Sequence, residues 1–191
     1  MIKKLIRFIL FFNLIYQISF GSDFKVKEVT VDKKKNSWFM PREKGWLSGD
    51  AAHSIPLEKN RILWIFGDTW TGKYENNRLF PDKWYVNNSI AIQYFDSTGT
   101  SKIEFIFGKE EEGRAFFPNK KNMPGKYLWP TNGFILGNYL YIFCQAVAHG
   151  ESGWFSISGS VVVEVINPDE HPKNWQKNYY NFETPEWSGD D

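Results

Sequence analysis

From residue 46 onward the chain repeats one local pattern: a short apolar or alternating run, then a cluster of glycine, asparagine, aspartate or proline that ends it. Strands bury side chains with a period of two and helices with a period of about 3.6, and runs with the helical period are scarce here. This restricts the chain to antiparallel β structure with polar turns between consecutive strands. "HSIPL" and "RILWIFGD" are joined by "EKN", which makes a hairpin over 53–68. Pro56 lacks a ladder donor and belongs at a non-bonded or strand-end site. "NNSIAIQYF" and "SKIEFIFG" form a second hairpin about Asp96-Ser97-Thr98-Gly99. The stretch 109–128, rich in Lys, Glu, Asn and Pro, reads as a loop. "TNGFILGNYLYIFCQ" is a strand, a Gly-Asn turn and a strand, and "SGSVVVEVINP" supplies another strand. Upstream, one edge strand is expected over Lys25 to Val31, followed by a solvated lysine turn.

Two of these segments echo each other. Laying "RILWIFGD" on "NYLYIFCQ" at an offset of 77 residues matches Leu63 with Leu140, Ile65 with Ile142 and Phe66 with Phe143. "GWLSGDAA" finds a fainter partner in "EWSGDD" at the C-terminus. Four-strand units recurring at long period are the mark of β-propeller blades. The expected fold class is therefore all-β, a partial β-propeller of two four-stranded antiparallel blades. Its parts are an N-terminal arm over 22–45, blade one over 46–108, a loop over 109–128, blade two over 129–182 and the start of a third blade over 183–191. Propellers close with about four blades or more, so two leave strand edges open. The expectation is a truncated propeller, or self-association through those open edges. Packing of the two units as a sandwich is the third arrangement.

Residues 1–21 are set aside from the fold as a secretory signal: "MIKKLIR" is basic, "FILFFNLIYQIS" is apolar and "SFG" offers small residues for cleavage. The apolar run, about a dozen residues, is short for a membrane span. The expected location is secreted or periplasmic, with no membrane span after cleavage. Without Lys3, Lys4 and Arg7 the 23 basic residues fall to 20, against 22 acidic ones. Such a balance provides no field for nucleic acid. Cys144 is the only cysteine, so no intrachain disulfide forms, and its setting in "LYIFCQAV" reads as a buried strand. His149 and His171 have no cysteine or carboxylate at zinc-ligand spacing, and "NPDEHP" reads as a turn with solvated acids, calcium being the alternative there; no metal or other cofactor is expected. Nine tryptophans serve core packing or, in the sharper reading, a platform for the apolar faces of sugar rings.

The stretch "GWLSGDAAHSIPLEKNRILWIFGDTW" carries a Gly-Asp pair at each end of one hairpin. With the turn centred near Lys59-Asn60, residue 50 lies across from about residue 69. Asp50 and Asp68 therefore emerge at the same end. Strands are about 4.8 Å apart, which brings the two carboxylates within roughly 5–10 Å, a range that covers glycosidase pairs. Gly49 and Gly67 carry no side chain and permit close approach. The plainer reading is that each aspartate caps a turn by accepting backbone N–H bonds. His53, two residues before Ile55 on the same side, is a substrate-orienting candidate or a hydrogen-bonded pocket histidine. Trp46, Trp70 and Trp129 fall at the ends of inner strands, as sugar platforms or as packing between blades. Asn132 in "WPTN" is a neutral ligand-contact candidate.

Together, "GWLSGDAAHSIPL…RILWIFGDTWTG", "VNNSIAIQ" and "LWPTNGFILGNYLYIF" resemble secreted bacterial propeller proteins of unknown function. Those are similar to five-bladed, furanosidase-type (arabinanase-like) glycoside hydrolases. The resemblance covers about 46–145 and implies a five-bladed propeller and glycan hydrolysis, with three carboxylates from different blades meeting at the axis. Only the first two blades are expected here, so at least one acid would be absent and the chain alone would not hydrolyse. The functional expectation is an exported, glycoside-hydrolase-like propeller acting on extracellular polysaccharide or oligosaccharide. Asp50 would be its base or nucleophile, Asp68 a supporting carboxylate, and Trp46, His53, Trp70, Trp129 and Asn132 its substrate contacts. The alternatives are a non-catalytic carbohydrate-binding or surface-interaction module, and an inactive remnant.

Overall fold

The computed structural model describes residues 27–83, 85–99, 101–150 and 154–182. The signal sequence expected over 1–21 and the third blade expected from 183 lie outside the described residues. The chain divides into two units, Met1–Lys33 and Lys34–Asp191. In the first, residues 27–32 form neither strand nor helix, so the edge strand expected to run to Val31 is not made there. A single-turn helix, α1 (Lys33–Trp38), takes the place of the expected lysine turn. The Ser37 hydroxyl donates to the Lys34 carbonyl at 2.7 Å within it.

The second unit is built almost wholly of antiparallel strands. They are β1 (Lys44–Gly49), β2 (His53–Leu57), β3 (Arg61–Phe66), β4 (Thr69–Glu75), β5 (Arg78–Pro81), β6 (Ser89–Phe95), β7 (Ser101–Ile106), β8 (Tyr127–Leu136), β9 (Tyr139–His149), β10 (Phe155–Val165) and β11 (Lys177–Phe182). A first sheet runs β2-β3-β6-β7, a second runs β8-β9-β10-β11, and a small third sheet runs β1-β4-β5. The echoing segments are the second strand of their respective four-stranded sheets, β3 and β9. Blade one as expected over 46–108 needs correction. Its opening strand belongs to the small sheet, where β4 pairs with that strand and β5 pairs with β4.

Alternation explains why β3 and β6 read as nearly unbroken apolar runs. Both faces of the first sheet are covered. On one face Leu63, Ile65, Ile90 and Ile92 pack with Leu140, Ile142, Cys144 and Val163 of the second sheet in one continuous core. On the other, Phe66 and Ala91 meet Trp46 of β1 in a smaller aromatic cluster with Trp64 and Phe105. The turns follow their residues. Asn76-Asn77, both with positive φ, join β4 to β5 across the Glu75–Arg78 pair, and Asp96 accepts from the Thr98 N–H at 2.9 Å between β6 and β7. Among the described residues no helix is long and apolar enough to cross a membrane.

Candidate active site

The two aspartates stand at matching corners of one long, bent hairpin. β1 and β4 pair at one side of the bend, ending in Gly49 with Thr69, while β2 and β3 pair at the other, beginning with His53 and Ile65. The same register continues between them. The Asp50 N–H donates to the Asp68 carbonyl at 3.2 Å, and the Gly67 N–H donates to the Asp50 carbonyl at 3.1 Å. Gly67 and Asp68 thus both face Asp50, a bulge-like corner of the kind that re-aims side chains. Gly67 lets the Asp50 side chain lie directly over the backbone. A Cβ on it would collide with the Asp50 carboxylate oxygen Oδ1, so the close approach expected of this glycine is how the acidic pair is packed. Beside it Ala51 adopts a left-handed φ of 49°, an unfavourable conformation for alanine that the corner imposes.

A cleft of about 160 Å³ opens at this corner, between the end of the bent hairpin and the second sheet. Asp50, His53, Asp68 and Trp129 all line it. Asp50 and His53 are exposed, whereas Asp68 is half-buried. The Trp129 indole N–H donates to Asp68 Oδ1 at 3.2 Å, and its ring is tilted against Phe155 at 5.1 Å. Burial, reinforced by the negative charge of Asp50, raises the Asp68 carboxyl to a pKa of about 6, and the indole bond only partly opposes this. Tyr85 lies close enough to sense the Asp68 charge, which, after burial, holds its phenol above the ordinary range.

Three expected contacts fall elsewhere. Trp46 is only 4 % exposed and stacks on Phe105 at 4.2 Å, so it is a core residue and cannot present its face to a ligand. The reason is that β1 folds across the back of the first sheet. Trp70 is 42 % exposed, is not among the residues that line the cleft, and packs on Tyr85 at 5.7 Å. Asn132 is exposed, with its side-chain oxygen accepting from the Gly133 N–H at 2.7 Å. A register shift between Pro130 and Asn132 inserts Thr131, and Thr131 takes the place on the cleft wall.

Gln145 also lines the cleft and was not singled out in the sequence. The signal was present: the 77-residue offset that matches Leu63 with Leu140 lays Asp68 on Gln145. The corresponding position of the second sheet is therefore an amide. The cleft holds two carboxylates among the described residues, and no group of three or more metal-ligating side chains gathers among them.

What the fold and cleft define is an all-β protein with a paired-carboxylate pocket at the meeting of two antiparallel sheets. The chain belongs to the family described as a domain of unknown function, DUF5005, whose pattern matches residues 32–190. Its fold is similar to the crystal structure of a Bacteroides ovatus protein carrying only the provisional designation of hydrolase. The match has a TM-score of 0.54 at 15 % identity, over 81 % of this chain and 48 % of that one. The chain thus spans about half the length of that solved structure. No match is found among curated proteins.

Proposed function

We propose that this domain is part of an exported, glycoside-hydrolase-like β-propeller whose cleft at Asp50 and Asp68 engages an extracellular glycan. The observation that carries the reading is the unequal acidic pair. Asp68, with its pKa raised to about 6, keeps a proton into the mildly acidic range, while Asp50 stands exposed opposite it. Two carboxyls divided into a proton donor and a charged partner are what cleavage of a glycosidic bond needs. In this reading Asp68 donates its proton to the departing glycosidic oxygen. Asp50 attacks the anomeric carbon or activates water there, and Trp129 holds Asp68 while offering its ring to a sugar face.

One observation favours a second reading, a non-catalytic carbohydrate-binding module. Where the second sheet repeats the position of Asp68 it supplies Gln145, so the described part of the cleft lacks a third acid. Release of reducing ends from arabinan-type polysaccharide separates the two. Against the inactivity expected from the blade count, the enzymatic reading requires release by this chain, which declines above about pH 6 as Asp68 loses its proton and which Asp50→Asn and Asp68→Asn each abolish. Polysaccharide binding that survives both variants, without any release by the parent protein, establishes the module instead. A purified protein that neither cleaves nor binds glycan overturns both.

A further inference from the structure

A second cavity, of about 530 Å³, opens between the 107–120 segment and the start of β11, and it shares no lining residue with the acidic cleft. Four lysines line it, Lys109, Lys120, Lys173 and Lys177, against a single carboxylate, Glu112. Glu112 is already engaged by the Lys120 ammonium at 3.1 Å. Lys177 is the unusual member. Its ammonium donates to the Phe116 carbonyl at 3.0 Å and sits 4.1 Å from the centre of the Phe116 ring. Among the described residues no carboxylate stands within ion-pair distance of it. An ammonium carries three donors, and burying one without a counter-ion is costly. Burial accordingly draws the Lys177 pKa down to about 8, with Lys120 and Lys109 pushing it the same way and Glu112 alone opposing them. The remaining walls include the rings of Trp175 and Tyr179, which give the cavity an apolar side.

We propose that this cavity binds a small anionic ligand of sugar size, bearing a carboxylate or a phosphate. Its acidic group is met by Lys177, with Lys173 also lining the cavity and with Lys120 and Lys109 paired to Glu112 at 3.1 Å and Glu111 at 4.0 Å, and its body rests against Tyr179 and Trp175. An oxyanion there supplies the counter-charge that no described residue places within ion-pair distance of Lys177, and the aromatic walls suit a ring carrying apolar C–H faces. The site does not depend on the reading of the acidic cleft.

Calorimetric titration of the full chain with glucuronate, with glucose 6-phosphate and with neutral glucose tests this. At about 0.15 M salt, where exposed charges are largely screened, one of the two acids should bind saturably at or below about 1 mM while glucose does not. Whichever acid binds identifies the acidic group. Lys177→Met should weaken binding by about tenfold or more. In the parent protein the ligand should raise the titration midpoint of the Lys177 ammonium, followed by NMR. A lysine serving only to hold the Phe116 carbonyl would show no such shift. Should Lys177→Met not fold, the double variant Lys109→Gln/Lys173→Gln, at exposed positions, decides the matter with an expected loss of about threefold or more. Absence of saturable binding by both acids, equal binding of glucose, or undiminished affinity in the folded variants overturns the proposal.

Discussion

Asp68 carries a stability consequence that its chemistry alone would not suggest. Its carboxyl is raised from 3.8 to about 6, so between those values the folded chain binds more protons than the unfolded one. Stability contributed by this group is therefore fully present below about pH 4 and is lost as pH rises through about 6. Allowing for its partial exposure, the loss is on the order of 2 kcal/mol. Asp68→Asn keeps an oxygen for the Trp129 indole and removes the charge. It should flatten the pH dependence of chemical denaturation between pH 4 and about 7 and stabilise the protein at neutral pH. A variant that retains the parent's slope would contradict this assignment. The proximity of the two aspartates was legible at residue scale because a strand has a fixed period and a hairpin a fixed turn. The burial of Asp68 was not, since it depends on Trp129 and Gln145, which come from another sheet.

Among the elements, the bent hairpin was half-read. Its β2–β3 arm and turn follow from "HSIPLEKNRILWIFGD", and the observed register sets Asp50 opposite Asp68, one residue from the expected partner. The departure of β4 and β5 was missed, although Asn76-Asn77 is a hairpin signal in plain view. Trp46 shows why alternation alone misleads. It marks an apolar side of β1 without saying which surface will cover it. Asn88, in "VNNSIAIQ", is the element-scale fastener that sequence could not single out. It is fully buried, and its side-chain nitrogen donates to the carbonyls of Phe117 at 3.0 Å and Leu128 at 2.8 Å. Its oxygen accepts from the Phe117 N–H at 2.8 Å. These bonds tie the segment before β6 to the long loop and to the head of β8, next to Trp129. Asn88→Ala leaves three buried backbone groups without that partner and should cost about 2–4 kcal/mol by urea denaturation. A cost below about 0.5 kcal/mol would show that the strands hold this geometry unaided.

For the molecule as a whole, the self-echo conveyed the topology: two four-stranded meanders, each with its echoing segment second in order. How those sheets meet was not legible, because periodicity describes one sheet at a time. They meet through one apolar core, to which Leu63 of the first and Leu140 of the second both contribute as fully buried side chains. A shared core couples the fates of its two sides. Thermal unfolding of the unit from Lys34 onward should appear as one transition, coincident by far-UV circular dichroism and tryptophan emission. Leu63→Ala and Leu140→Ala should each lower its midpoint, at a cost of about 2–5 kcal/mol. Two separated transitions, each moved by only one of these variants, would mean that the sheets are independent.

The indole bond from Trp129 to Asp68 spans 61 residues of chain, whereas Asp50 faces Asp68 within a single hairpin. Geometry and acidity at this cleft thus have different origins along the folding path. Local pairing, which closes a short loop at small entropic cost, can set the carboxyls face to face before distant parts of the chain arrive. Their inequality needs the second sheet, whose Trp129 and Gln145 close the cleft beside Asp68. The proton affinity of Asp68 is in this sense a gauge of assembly: it reads high only where both sheets are in place, and falls back toward that of a free aspartate wherever they part.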